Sequence, residues 1–253
     1  MLDIGTYEAL SKLKLHGFIS ELQEQEKLGG YSDMSFRDRL DLLIQKESLD
    51  RENKSLSKRI MSAKFKHRVS LEKIKVSASR GLDKSQLQTL ISCDWIKKKL
   101  NIIVTGPSGS GKSFLACAVG EKICRAELNV RYYRCQSLLS ELCCSAADGT
   151  LRNYLNQTSK FHVLIIDDWA LSKITETEQK YLFELVEERS EKLSTVFVSQ
   201  TPVNIWHSLM PNGAIADAIM DRVVHTALRI ELKGESLRKE IDAKLDADRT
   251  EGT

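Results

Sequence analysis

One short stretch of the sequence has residue types and spacing suited to binding a triphosphate. Residues 106–113 match the pattern G-x-x-x-x-G-K-[ST] at every position. Glycines let the backbone curl until several N–H groups converge on phosphate oxygens, and a helix beginning there adds its dipole. We therefore predict an ATP site, with Lys112 reaching the β- and γ-phosphates and Ser113 ligating Mg²⁺. The predicted binding residues are Gly106, Pro107, Ser108, Gly109, Ser110, Gly111, Lys112 and Ser113.

Two later strands are predicted to supply the rest of this site. The apolar run 163–166 ends in Asp167 and Asp168. Asp167 is predicted to hold Mg²⁺ and Asp168 to polarise the attacking water. A further apolar run ends in Ser199 and Gln200, which are candidates for holding that water or sensing the γ-phosphate. Capping of a helix and ordinary polarity at a strand end are the structural alternatives for these two pairs.

The elements around these residues alternate between short apolar strands and helices. Strands are predicted at 101–105, 130–135, 163–167, 195–199 and 227–232. Helices are predicted at 112–127, 176–193 and 213–224, and helical stretches near 136–157. This alternation predicts an α/β fold with a five-stranded parallel sheet covered on both faces. Ligands in such folds bind at the carboxyl ends of the strands, where the predicted site residues lie.

A small all-helical domain is predicted before the sheet. One helix is expected over residues 1–28, capped by Thr6, and a second long helix after a capping box at Ser35–Asp38. A shorter helix is expected over 83–98. The predicted domains are 1–68 (helical), 69–240 (nucleotide-binding) and 241–253 (a polar tail).

About twenty polar residues follow Leu232, too few for a large helical lid domain.

The charge of the chain is unevenly distributed. Its formal net charge is only +3, which argues against a histone-like protein. Residues 51–80, however, contain ten Lys or Arg against two Glu. A solvated helix face is one interpretation of this run, and contact with nucleic-acid phosphates is the other. The candidate DNA-binding residues are Arg51, Lys54, Lys58, Arg59, Lys64, Lys66 and Arg68.

No membrane partner, zinc site or exported location is expected. The sequence has no apolar run of membrane-spanning length and no visible secretory leader. Its six cysteines are scattered, without a C-x-x-C pair or clustered histidines. A cytoplasmic protein with reduced thiols is therefore predicted.

Taken together, the motifs resemble the IstB-like and DnaC-like branch of the AAA+ ATPases. The similarity runs over nearly the whole chain. It is carried in the second half by 106–113, 167–168, 199–200, Asp221-Arg222 and Gly234–Arg238. In the first half it is carried by Leu13–Gly17, Ser35–Leu40, Arg51–Asn53 and Ala63–Phe65, and these segments favour the IstB-like members.

The resemblance implies roles for two arginines. Arg222 matches the residue that reaches the γ-phosphate of a neighbouring subunit, and Arg238 matches one that senses the same nucleotide. A guanidinium suits both tasks because it stabilises charge spread over phosphate oxygens. Two departures stand out: Asp168 replaces the usual Glu, and Ser199-Gln200 replaces the usual Asn. Because the Asp168 side chain is shorter than that of Glu, we expect ATP hydrolysis to be slow or to depend on assembly.

The resemblance also implies a function. Such proteins are ATP-dependent helpers of insertion-sequence transposition that bind duplex DNA non-specifically, form homo-oligomers with ATP and recruit or activate an IstA-type transposase. The nearest alternative is a DnaC-like replicative helicase loader. A small-molecule P-loop kinase is a further alternative, but it would not explain the basic residues of the N-terminal helices. A nucleotide-gated binding module with negligible hydrolysis remains open because of Asp168.

Overall fold

The chain is divided into two compact units. The computed structural model describes residues 3–31, 33–69, 71, 74, 80–225 and 227–234. The units are Met1–Lys58 and Arg59–Thr253. The sequence-based boundary between residues 68 and 69 lies ten residues later in the chain, and that division into domains stays a prediction.

The first unit is helical. It contains α1 (Ile4–Lys12), α2 (His16–Lys27), a 3-10 turn (Gly29–Tyr31) and most of α3 (Phe36–Ala63), which continues into the second unit. At the start of α3, the amide N–H of Asp38 donates to Ser35 Oγ at 3.2 Å, as the capping pattern predicts.

A single helix over residues 1–28 was the expectation, and the structure has two. Lys14 adopts the left-handed conformation, with φ at 59°. The amides of Lys14 and Leu15 then donate back to the carbonyls of Ser11 and Leu10, which ends α1 with a left-handed cap. Glycine usually occupies such a position, so a lysine there gave no sequence signal for the break.

The second unit contains a five-stranded parallel sheet, and the predicted fold class is confirmed. The strands are β1 (Asn101–Thr105), β2 (Val130–Arg134), β3 (Val163–Asp167), β4 (Ser194–Ser199) and β5 (Ala227–Glu231). They are arranged in the order β2-β3-β4-β1-β5. The prediction that no large helical lid follows Leu232 concerns residues 235–253, which lie outside the described residues.

Helices cover both faces of the sheet. They are α4 (Lys84–Ser92), α5 (Asp94–Lys97), α6 (Lys112–Arg125), α7 (Cys135–Ala147), α8 (Leu151–Thr158), α9 (Glu176–Arg189), α10 (Val203–Trp206) and α11 (Gly213–Val224). Leu164 and Ile166 of β3 belong to the core beneath α7, α9 and α11. Ile165 points the other way, towards Gly120 of α6. Burial on both faces explains why β3 is an unbroken apolar run.

Candidate nucleotide site

The loop between β1 and α6 has the backbone shape that its glycines permit. Gly106, Gly109 and Gly111 all have positive φ, at 146°, 80° and 93°. A Cβ at Gly106 would lie 2.3 Å from the carbonyl oxygen of Leu232, so no side chain fits there. Gly111 is the N-cap of α6 and offers no side-chain cap to the first turn. The N–H groups of that turn are therefore available to an anion.

Two side chains of the loop fit a bound polyphosphate. Lys112 is buried, and its Nζ donates to the carbonyl oxygen of Pro107 at 2.8 Å. Burial lowers the pKa of Lys112, while Asp167 and Asp168 oppose that shift. The hydroxyl of Ser110 is buried without a hydrogen-bond partner. A phosphate group bound here would accept hydrogen bonds from the buried ammonium, from the unpartnered hydroxyl and from the uncapped N–H groups of α6.

Asp167 lies at the end of β3, and three groups surround its carboxylate. Its Oδ2 accepts a hydrogen bond from Tyr132 Oη at 2.6 Å, and its Oδ1 accepts from the amide of Asp168 at 2.9 Å. The Nζ of Lys66 lies 3.7 Å from Oδ2. Burial raises the pKa of Tyr132, and the hydrogen bond to Asp167 raises it further. The hydroxyl therefore keeps its proton and can donate it in the hydrogen bond to Asp167. The carboxylate is thus held in a fixed orientation, as a metal ligand requires.

Asp168 is positioned by an unusual backbone and by a neighbouring strand. Its φ is 59°, in the left-handed region. Its carboxylate pairs with Arg134 at the end of β2, at 3.2 Å. The next residue, Trp169, is buried and packs edge-on against Phe197 and Trp206. This aromatic cluster fixes the turn that carries Asp168.

The two polar residues at the end of β4 have different surroundings. The hydroxyl of Ser199 donates to the carbonyl oxygen of Trp169 at 2.6 Å and accepts from the amide of Thr201 at 3.0 Å. Gln200 is exposed and lines an open cavity of about 820 Å³ beside Gly106 and Pro107. Gln200 is therefore better placed than Ser199 to meet a nucleotide or water.

Arg222 lies at the end of the sheet where β1 begins, opposite the end that carries the phosphate-binding loop. Its carbonyl oxygen accepts a hydrogen bond from Asn101, the first residue of β1, whereas the phosphate-binding loop follows Thr105, the last. Its guanidinium pairs with Glu187 and lies over the ring of Phe183. The structure therefore does not bring Arg222 to the site formed by Lys112 and its neighbours within one chain. The predicted sensor Arg238 lies outside the described residues.

The candidate DNA-binding residues have mixed surroundings, and each unit contains some of them. In the first unit, Arg51 pairs with Glu47, while Lys54 and Lys58 are exposed. In the second unit, Arg59 donates to the carbonyl oxygen of Cys124 and Lys66 approaches Asp167. Lys64 and Arg68 of the same unit are exposed.

Sequence reasoning missed Tyr132 and Arg134 and did not connect Lys66 with the nucleotide site. The parallel register pairs Tyr132 with Ile165 and Arg134 with Asp167. Knowledge that β2 and β3 are neighbours would have indicated both strand residues, because Tyr132 shares a face with Asp167. The sequence does not state strand order, and it contains no signal that residues 63–69 fold onto α6.

Comparison with known proteins gives consistent similarities. The family model described as IstB-like ATP binding protein matches residues 8–245. The insertion sequence ATP-binding protein y4pL of Sinorhizobium fredii is 37% identical over 239 residues, which is 94% of this chain and 98% of that protein.

Two solved structures share the fold at low identity. The crystal structure of DnaI has a TM-score of 0.56 at 21% identity, covering 66% of this chain and 92% of that one. The DnaC helicase loader has a TM-score of 0.53 at 16% identity, covering 70% and 99%. In the part of the chain that the structure describes, no helix combines the length and apolar character of a membrane crossing.

Proposed function

Because this chain belongs to the IstB-like ATP-binding protein family, we propose that it is an ATP-dependent, sequence-nonspecific DNA-binding helper of insertion-sequence transposition. The family identified from the motifs is confirmed by the match over residues 8–245. The chain is an ATPase with an AAA+ fold. DNA binding, assembly into an oligomer and recruitment of an IstA-type transposase are the proposed parts of its function.

The arrangement of the loop and the strand ends supports ATP hydrolysis with Mg²⁺. Lys112 and the first amides of α6 would bind the phosphates. Ser113, in the first turn of α6, and Asp167 would hold Mg²⁺, which supplies charge neutralisation when bound. Asp168 would orient the attacking water once its carboxylate leaves Arg134. Gln200 would contact that water or the terminal phosphate.

One observation supports assembly most directly: Arg222 and the phosphate-binding loop lie at opposite edges of the same sheet. If Arg222 acts on a nucleotide, as the resemblance implies, that nucleotide would be bound by a neighbouring copy. Hydrolysis would then require adjacent subunits, because each would contribute half of a catalytic centre.

Mixing two inactive variants tests this proposal. Lys112→Ala lacks a working phosphate site but keeps Arg222, whereas Arg222→Ala keeps the site and lacks the arginine. We expect each variant alone to be nearly inactive and a mixture to recover part of the ATPase activity. Arg152→Ala, an exposed arginine on α8, is the matched control and should remain active. Absence of recovery in mixtures that still assemble would refute the role of Arg222 in a neighbouring site.

Exposed cations on α3 support the DNA-binding part of the proposal. Contacts between lysines and phosphates release counterions, so affinity for duplex DNA should fall steeply with salt. Reversing Lys54 and Lys58 together should weaken binding and reduce the salt slope by about two. Reversing Lys97 and Lys98, exposed residues of the second unit, changes the net charge equally and serves as the control. Equal slopes in both double variants would exclude α3 as the DNA surface.

The partner decides between transposition and helicase loading. The resemblance of the N-terminal segments supports an IstA-type transposase as partner. Purified transposase and purified replicative helicase would be tested for binding to the full chain with ATP and DNA. Binding to the helicase alone would instead favour the DnaC-like alternative.

A further inference from the structure

The carboxylate of Asp167 has a positively charged neighbour that no part of the proposed hydrolysis uses. Lys66 Nζ lies 3.7 Å from Asp167 Oδ2, the oxygen that also accepts the Tyr132 hydrogen bond. The lysine side chain is 34% exposed and the Asp167 side chain only 2%. A buried carboxylate beside a partly exposed lysine side chain forms an ion pair that solvent screens only in part.

We propose that Lys66 is a built-in counter-ion of Asp167, one that holds the metal-binding carboxylate before nucleotide arrives and competes with Mg²⁺ for it. This inference rests on the proposed function, since it assumes that Asp167 is the Mg²⁺ ligand. It assigns Lys66 to the nucleotide site as a positioning residue, in place of the predicted contact with DNA.

The segment that carries Lys66 is firmly attached to the helix of the phosphate-binding loop. Ala63 is fully buried before it and Val69 is buried after it. The ring of Phe65 packs so closely on Gly120 of α6 that a Cβ there would lie 2.6 Å from it. These contacts hold the backbone of Lys66 in place on the second unit.

Two further contacts fix the segment beside the site itself. The backbone amides of Lys66 and His67 face the thiol of Cys117, whose pKa is raised by burial and lowered in part by these N–H groups. The His67 ring lies 6.3 Å from the ring of Phe114, three positions before Cys117 on the same helix. The backbone is therefore anchored on both sides of Lys66, while its long side chain reaches Asp167 and stays partly in solvent.

Competition with Mg²⁺ follows from charge. Two cations cannot share one carboxylate oxygen at close range without repulsion, so the ammonium must withdraw as the metal binds. Its partial exposure gives it a route into water, and the flexible stem of lysine allows the movement. Removing the charge should make Asp167 more available to Mg²⁺.

A Mg²⁺ titration of nucleotide binding tests this inference. The full-length protein is mixed with the fluorescent, non-hydrolysable analogue mant-AMPPNP, and Mg²⁺ is added until binding saturates. Lys66→Met keeps the stem and removes the charge. We expect its Mg²⁺ midpoint to fall about three- to fivefold below that of the unmodified protein, as suits a partly screened ion pair.

Three comparisons make the result decisive. Lys64→Met removes an exposed charge two residues away and should leave the midpoint unchanged. Lys66→Arg keeps the charge and should stay within about twofold of the original midpoint. Lys66→Gln replaces Lys66→Met if the latter lowers the melting temperature.

Equal midpoints for Lys66→Met, Lys64→Met and the unmodified protein would overturn the inference. That failure is distinct from failure of the proposed function, in which the unmodified protein would bind no analogue at saturating Mg²⁺.

Discussion

The two units of the molecule obtain their structure in different ways. In the second unit, large apolar side chains such as Leu138, Leu142 and Ile165 have no exposed surface. Among the described residues of the first unit, Ile19 and Leu43 are the buried large apolar side chains, and the polar residues Gln25 and Glu47 are buried as well. Several of its large apolar residues are exposed, namely Ile4, Tyr7, Leu13, Leu28, Met34, Phe36, Ile44 and Leu49. Apolar burial thus specifies the ATPase unit, while the helical unit depends more on polar contacts.

Those polar contacts are centred on α3. Glu47 accepts a hydrogen bond from the amide of Phe18 at 3.1 Å and pairs with Arg51 at 2.6 Å. Gln25 of α2 exchanges side-chain and backbone hydrogen bonds with Arg39. Each such bond contributes only about 1 kcal/mol net, so the first unit should be the less stable of the two.

The locations of the tryptophans make this comparison measurable. All three, Trp95, Trp169 and Trp206, belong to the second unit and are almost completely buried. Tryptophan fluorescence therefore follows unfolding of the ATPase unit, whereas far-ultraviolet circular dichroism follows the helices of both units.

The largest expected effect separates the chemistry of the second unit from the first. Lys112→Ala should lower ATP hydrolysis by at least about a hundredfold, because it removes the cation that neutralises charge on the transferring phosphate. Steady-state release of phosphate measures this. Binding of duplex DNA without nucleotide should not change, since Lys112 lies outside α3.

Lys122→Ala, on the same helix and ten residues later, is the control and should retain activity. Equal activity in Lys112→Ala and Lys122→Ala would mean that hydrolysis does not occur at this loop.

The next largest effect concerns packing of the ATPase core. Leu138→Ala on α7 should lower the free energy of unfolding by about 2–5 kcal/mol, because it leaves a cavity in a fully buried site. Denaturant unfolding followed by tryptophan fluorescence measures the loss. Leu171→Ala, at a side chain that is 55% exposed, should change it by less than about 0.5 kcal/mol.

Leu43→Ala in α3 tests whether the units unfold independently. It should leave unchanged the unfolding transition that tryptophan fluorescence reports. It should shift only the part of the circular dichroism change that fluorescence does not follow, which comes from the first unit. A shift of the fluorescence transition as large as that caused by Leu138→Ala would show that both units unfold as one cooperative block.

A smaller effect is expected at Gly17, where the backbones of α2 and α3 approach each other closely. A Cβ at Gly17 would lie 2.9 Å from both the Cα of Glu47 and the carbonyl oxygen of Lys46. Both neighbours are backbone atoms that cannot rotate away, so Gly17→Ala should destabilise the first unit by about 1–3 kcal/mol. The destabilisation is measured from the part of the circular dichroism unfolding curve that tryptophan fluorescence does not follow.

Gly30→Ala is the matched control, because nothing lies within 4 Å of the added Cβ. If both alanine variants unfolded alike, close packing of α2 on α3 would not be what holds the unit together.

The same contrast explains what the sequence could predict. The bounds of all five described strands were predicted to within one residue, because apolar runs such as 163–167 are buried on both faces and end in polar residues. The positive-φ glycines before α6, at 106, 109 and 111, could be expected from the motif because the conformational requirement for glycine is local. The break at Lys14 and the approach of Lys66 to Asp167 were not predictable, since each depends on backbone or tertiary contacts that residue type does not record.

The smallest expected effect is the pH dependence of the first unit. Burial alone would raise the pKa of Glu47, but the Arg51 hydrogen bond and the amides of Phe18 and Gly17 outweigh it, so the pKa lies below its ordinary value. A carboxylate with a depressed folded-state pKa stabilises the unit above its unfolded pKa and loses that effect as the pH falls through the folded value. The loss should occur between about pH 5 and pH 3.

Glu47→Gln should therefore weaken the first unit at pH 7 and flatten this acid dependence, because the neutral amide is a weaker partner for Arg51. Dichroism-monitored melts across that pH range measure both changes. Glu24→Gln, an exposed residue of α2, removes one carboxylate from the same unit and should leave the pH profile as it was. If Glu47→Gln kept the full acid dependence, the stability of the first unit would come from its few apolar contacts after all, and the two units would differ in degree rather than in kind.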